Sequence, residues 1–206
     1  MTETALLGTR SVSRETMARL QIYEALLRKW NPAINLVARS TLDDVWGRHF
    51  VDSAQIYNLA GKGWSSWADL GSGGGFPGLV IANIAAESQL EAKVILVESD
   101  QRKATFLRTV ARETGVKLEV IADRAESLAP LAVDILSARA LAPLDRLMSF
   151  AKRHLSPTGV ALFPKGVNHG AELRQALETW RFSYDAAVSE TDPAAVIYAI
   201  KGISRV

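Results

Sequence analysis

Between Arg14 and Trp30 the apolar residues Met17, Leu20, Tyr23, Leu27 and Trp30 recur every three or four positions. That spacing predicts one stripe of an amphipathic helix, which Pro32 brings to an end. A second helix is expected from Thr41, read as an N-cap with Asp44 three residues on, through Val45, Arg48, His49 and Asp52 towards Ile56. The first sixty residues thus read as a helical extension, and 58–66, with Gly61 and Gly63, as the linker that follows it. There the rhythm changes. Short apolar, β-rich runs at 67–70, 94–97, 116–122, 134–137 and 160–163 alternate with helical patterns at 79–86, 101–114, 143–155 and 171–180. Two further runs, 182–188 and 195–201, close the chain. Such alternation specifies parallel βαβ units with right-handed crossovers. The polar turn from Ser189 to Pro193 is too brief for a helical crossover, so the last two strands are expected to pair antiparallel. The expected fold is α/β: residues 61–206 form a Rossmann-like, doubly wound sheet of about seven strands with one reversed strand near an edge, after a helical extension over residues 1–60.

Composition narrows the chemistry. With 48% hydrophobic and 22% charged residues, the 206-residue chain falls outside the disordered, collagen-like and coiled-coil classes. The absence of cysteine excludes disulfide scaffolds, thiolate metal sites and cysteine nucleophiles. The three histidines, His49, His154 and His169, are too far apart in sequence to suggest a local metal-ligand pair, so no metal is expected. A net charge of +2, with 16 Arg against 8 Lys, permits an anionic partner without demanding one. The first seventeen residues lack a signal-peptide pattern and no stretch approaches 18 uninterrupted apolar residues, so a cytoplasmic protein with no membrane partner is expected.

The densest chemical signal is Asp69-Leu-Gly-Ser-Gly-Gly-Gly-Phe-Pro-Gly78, at the junction of the first strand and first helix of the sheet. Glycines there let a ligand approach backbone N–H groups, and the helix N-terminus adds positive partial charge. Asp69, aimed into the crevice, would repel a dinucleotide pyrophosphate and suit the ammonium or sulfonium of an amino acid. Glu98 ends the second strand, twenty residues after Gly78, where a carboxylate accepts both hydroxyls of a ribose or caps the next helix. That spacing fits either NAD or S-adenosylmethionine. The third strand leads into Asp123-Arg-Ala125-Glu126, which should flank an adenine, and the fourth into Arg139 in the same crevice. An NAD-dependent oxidoreductase and a non-enzymatic binding module remain open at this point, although no Tyr-x-x-x-Lys hydride-transfer pair is recognisable. The fourth-strand loop also lacks the Asp/Asn-Pro-Pro-aromatic run used on exocyclic amino groups. A ring nitrogen that carries a lone pair and no proton needs alignment more than a general base. No catalytic acid or base is assigned.

At these residues the chain resembles the bacterial small-subunit ribosomal RNA guanine-N7 methyltransferases, the RsmG or GidB family. The resemblance covers nearly the whole chain: Trp30-Asn31 with Ile34-Asn35-Leu36, Arg48-His49 with Asp52-Ser53, the glycine loop, Ser137-Ala-Arg-Ala140 and Lys165-Gly166. Phe163-Pro164 departs from the alanine- or leucine-like residue usual before Lys165-Gly166. The resemblance implies a class I S-adenosylmethionine-dependent methyltransferase sheet, transfer of methyl to N7 of one guanine in 16S rRNA, and cofactor contacts from Gly71, Phe76, Ala125, Glu126 and Arg139. Asp69, Gly73 and Glu98 are expected to shape the same site. Arg48, His49 and Lys165 are expected to meet RNA, Arg48 being also spaced to pair with Asp52 on one helix face. Arg10, Arg14, Arg19, Arg28, Lys29 and Arg39 give the extension a basic bias suited to the small ribosomal subunit as partner. The protein is expected to act as a monomer.

Overall fold

The computed structural model of the protein describes residues 4–88 and 91–206. The chain begins with a hairpin of β1 (Thr4–Leu7) and β2 (Arg10–Ser13), so the first sixty residues are not all helical as expected. Ser13 then caps α1 (Arg14–Ile34) by accepting the Thr16 N–H at 3.0 Å. Leu20, Tyr23 and Leu27 lie along the buried face of α1, as their spacing predicts. The helix does not end at Pro32 but runs two residues further. A proline in the last turn forfeits a single hydrogen bond, and the stop is set by Asn35 in the left-handed conformation, φ 49°. The Asn31 side chain gathers the departing chain by accepting from Leu36 N and Val37 N at 2.7 and 2.9 Å.

Thr41 is not an N-cap. It lies in a 3-10 turn, and its hydroxyl donates to the Ala38 carbonyl at 2.7 Å. The next helical segment begins as a π-turn over Trp46–Val51 and continues as α2 (Asp52–Leu59). After the linker come β3 (Ser66–Leu70), α3 (Gly78–Ser88), β4 (Lys93–Val97), α4 (Gln101–Thr114), β5 (Glu119–Ile121) and β6 (Val133–Ser137). They are followed by α5 (Leu144–His154), β7 (Leu155–Lys165), α6 (His169–Thr179), β8 (Trp180–Val188) and β9 (Val196–Arg205). Asp100 caps α4 by accepting from Arg102 N and Lys103 N, which leaves Glu98 free of that task.

The seven-stranded sheet has the order β5-β4-β3-β6-β7-β9-β8. All of its pairs are parallel except those of β9, which runs antiparallel to both β7 and β8. The one reversed strand is therefore inserted next to the edge. Strand alternation sorts the core into two layers. Trp67, Val94, Leu96, Ile135 and Leu162 face α1 to α4, while Ala68, Leu70, Ile95, Val97, Leu136 and Phe163 face α5 and α6. Leu20, Tyr23 and Leu27 of α1 share one buried cluster with Leu79 of α3 and Phe106 of α4, so the core runs across residue 60. The chain order reverses between β3 and β6, and that switch point opens the crevice at the carboxyl ends of the strands. Among the described residues no helix is long and apolar enough to cross a membrane.

Candidate active site

The glycine loop leaves β3 and enters α3. Gly73 has φ 55°, a conformation that costs any residue with a side chain about 1–2 kcal/mol, and a Cβ built there would meet only the Gly71 carbonyl, at 3.8 Å. The space beside it is open for a ligand. At Gly78 the reason is close approach: a Cβ would lie 2.2 Å from Leu96 and 2.7 Å from Asp69 Oδ2. Glu98 holds the loop from β4. Its Oε2 accepts the Gly73 N–H at 2.8 Å and its Oε1 accepts the Asp100 N–H at 2.7 Å, so one carboxylate ties the glycine loop to the start of α4. The Tyr23 hydroxyl of α1 donates to the Gly74 carbonyl on the other side.

Asp69 departs from expectation. It is fully buried and lines neither of the cavities at the carboxyl edge. Oδ1 accepts from the Ser137 hydroxyl at 2.7 Å and Oδ2 from Gly78 N at 3.2 Å. Burial raises its pKa to about 6, against the hydrogen bonds from Ser137, Ser72 and Gly78. Asp69 thus supports the loop from beneath, and the charge argument against a pyrophosphate does not act through the crevice.

Two cavities open along the carboxyl edge and meet at Gly71. The smaller, about 240 Å³, is walled by Asp123, Ala125, Glu126, Leu141 and Arg146. The larger, about 520 Å³, is walled by Gly73, Phe76, His49, Arg139, Lys165 and Thr191, among others. Arg139 is the hub of the larger one. Its Nη1 donates to Asp52 Oδ2 at 3.1 Å and its Nη2 to His49 Nδ1 at 3.0 Å, and its guanidinium lies 5.3 Å from the Phe76 ring centre. Because guanidinium only donates, His49 must accept at Nδ1 and carry its proton on Nε2, which then donates to Thr41 Oγ1 at 2.8 Å. Burial, followed by the charges of Arg139 and Arg48, lowers the His49 pKa to about 4. The His49 ring also stacks on Phe76 with centres 4.9 Å apart. Ala140, next to Arg139 on the cavity wall, holds a left-handed φ of 53°, a strain of about 1–3 kcal/mol that the surrounding packing must sustain.

The structure therefore brings Gly71, Gly73, Phe76, Arg139, His49 and Lys165 around one cavity and Ala125 and Glu126 around its neighbour, with Glu98 and Asp69 behind the loop. The expected Arg48–Asp52 pair does not form. Asp52 is taken by Arg139, and Arg48 instead approaches Asp192 at 3.9 Å. Lys165, expected to face RNA, is largely buried; its Nζ donates to Glu172 at 2.6 Å and to the Ala142 carbonyl at 3.0 Å. Arg10 and Arg28 of the basic set bond to Asn58 and Glu24. Sequence reasoning named the turn between β8 and β9 but missed its place on the wall of the larger cavity. Thr191 donates to Asp52 Oδ1 at 2.9 Å, and Gln55 donates to Ser189 Oγ at 3.0 Å. The signal was the short turn itself: a strand parallel to the sheet and joined to a reversed neighbour must turn at the carboxyl edge.

This strand order, with a glycine loop after the central strand and cavities at its carboxyl end, is that of the Rossmann-like methyltransferase fold. The same fold is found in an S-adenosylmethionine-dependent methyltransferase from Aquifex aeolicus, at TM-score 0.60 and 15% identity over 87% of this chain and 98% of that one. A methyltransferase from Geobacter sulfurreducens also matches, at TM-score 0.60 and 18% identity over 89% and 88%. The chain belongs to the GidB family, rRNA small subunit methyltransferase G, whose family model matches residues 16–193. It is 54% identical to a ribosomal RNA small subunit methyltransferase G of Ruegeria pomeroyi over 97% of both chains, and 48% identical to one of Cereibacter sphaeroides over the full length of both.

Proposed function

We propose that the protein transfers a methyl group from S-adenosylmethionine to N7 of one guanine in the 16S rRNA of the small ribosomal subunit. The observation that carries this reading is the pair of cavities joined at Gly71. A nucleoside with an amino-acid arm has the shape of that pair, with the adenosine beside Ala125 and Glu126 and the arm passing the glycine loop. The open side of Gly73 leaves its path clear. Bound there, S-adenosylmethionine supplies an electrophilic methyl, and guanine N7 offers a lone pair with no proton to remove. The protein's work is then to align and to exclude water.

Particular residues divide that work. Glu98 fixes the loop backbone and keeps lone pairs for ribose hydroxyls. Arg139, anchored on Asp52 and His49, presents its remaining N–H groups to a carboxylate on the arm. A neutral His49 adds no further positive charge to the wall. Arg48, half exposed at the mouth, suits a phosphate. The test is labelled methyl transfer to small subunits purified from a strain lacking the gene. Label confined to one 7-methylguanosine is expected; label in another nucleoside, or none with the cofactor bound, overturns the reading.

A further inference from the structure

Helix α5 turns one stripe of side chains, Arg146, Phe150, Arg153 and His154, towards the turn that follows β5. Phe150 and Arg146 help wall the smaller cavity, and Arg146 approaches Glu126 at 3.6 Å. Arg153 donates from Nε to the Leu128 carbonyl at 2.9 Å, and the fully buried His154 meets the Ala125 carbonyl through Nε2 at 2.9 Å. A carbonyl only accepts, so the imidazole is the Nε2–H tautomer. Its Nδ1 is buried with no partner among the described residues.

An apolar side chain would fill that place without burying an unpaired nitrogen. The polar capacity of His154 serves the Ala125 carbonyl alone. That carbonyl needs a holder, because the turn Ala125–Ser127 follows a three-residue edge strand and has little ladder of its own. We propose that His154 is a positioning residue of the cofactor site: with Arg153 it clamps both ends of the 125–128 turn, and so sets affinity for the adenosine moiety without touching it. The inference rests on placing adenosine in the smaller cavity.

The test compares His154→Phe, which keeps a ring and removes the donor, with His154→Gln, whose amide N–H reaches the same carbonyl. Each is titrated with S-adenosylhomocysteine and with adenosine, and assayed for KM and kcat. Loss of one such hydrogen bond predicts about a fivefold to tenfold weaker Kd for both ligands in His154→Phe. KM for the methyl donor should rise in parallel, kcat at saturation should change less than about twofold, and His154→Gln should recover most of the affinity. Should His154→Phe not fold, Arg153→Ala, at an exposed position, must still weaken both ligands while melting as the parent does. Unchanged affinity in folded variants, an effect on kcat alone, or no recovery in His154→Gln overturns the proposal. Failure of the parent protein to bind S-adenosylhomocysteine would instead overturn the assignment of the site.

Discussion

Replacing Ser137 by alanine removes the middle of a buried chain in which Trp67 Nε1 donates to Ser137 Oγ at 2.9 Å and Ser137 Oγ donates to Asp69 Oδ1 at 2.7 Å. All three residues are fully buried, and Asp69 and Ser137 are register partners on β3 and β6. The variant leaves the indole N–H without a partner, at a cost of about 1–3 kcal/mol, and deletes a charge-assisted bond worth about 1.5–3 kcal/mol. The expected loss of stability is therefore about 3–5 kcal/mol at pH 7, a large share of the usual margin. It should be read from urea unfolding followed by circular dichroism, as a lower midpoint at constant slope. Because the Ser137 bond holds the Asp69 pKa down, Asp69 should also titrate higher in the variant. A loss below about 1 kcal/mol would refute the reasoning, since it would mean that water or a shifted side chain satisfies both groups.

The remaining predictions concern the cavity wall. His49, held neutral by burial and by Arg139, should show the Nε2–H tautomer by nitrogen NMR at pH 7 and protonate only near pH 4; protonation near 6.5 would break the assignment. Since the unfolded chain takes up that proton between about pH 6.5 and 4, His49 withdraws up to about 3 kcal/mol of stability as pH falls through that window. Asp69 opposes it: its raised pKa makes the folded state take up a proton first between about pH 6 and 3.8, adding stability as pH falls. Gly73→Ala should cost about 1–2 kcal/mol in stability yet lower cofactor affinity more than tenfold in calorimetry, because its Cβ enters the ligand's side of the loop. Glu98→Ala frees the Gly73 and Asp100 amides and should weaken cofactor binding several-fold with the protein still folded; an unaltered Kd would exclude Glu98 from the site. Arg48→Ala, which loses only an exposed contact with Asp192, should leave the melting temperature within about a degree while reducing rRNA affinity and its salt dependence.

Periodicity was legible wherever one residue's neighbours in sequence are also its neighbours in space. The α4 pattern coincides with the observed helix, Gln101–Thr114, and the β-rich runs fall within or close to the strands, because helix stripes and strand alternation are local consequences of one buried face. The amino-terminal hairpin was missed because four-residue strands such as Thr4–Leu7 carry too few alternations to register. Chemistry at strand ends was legible for the same local reason: a glycine loop, an acid and an arginine each follow a strand into the crevice. Their partners were not.

What the sequence by itself determined is the set of parts: the alternating units, the reversed last strand, the glycine loop and the strand-end residues. Tertiary structure alone decided which way each functional group faces and what holds it. Asp69 turned beneath the loop because Ser137, 68 residues away, offers a hydroxyl in register. Asp52 bonds Arg139 and Thr191, 87 and 139 residues distant, rather than Arg48 one helical turn before it. An exposed pair on one helix face gains a few tenths of a kcal/mol, whereas a half-buried carboxylate with several charge-assisted and hydroxyl donors gains several times that, so the fold's long-range contacts outcompete the chain's local ones.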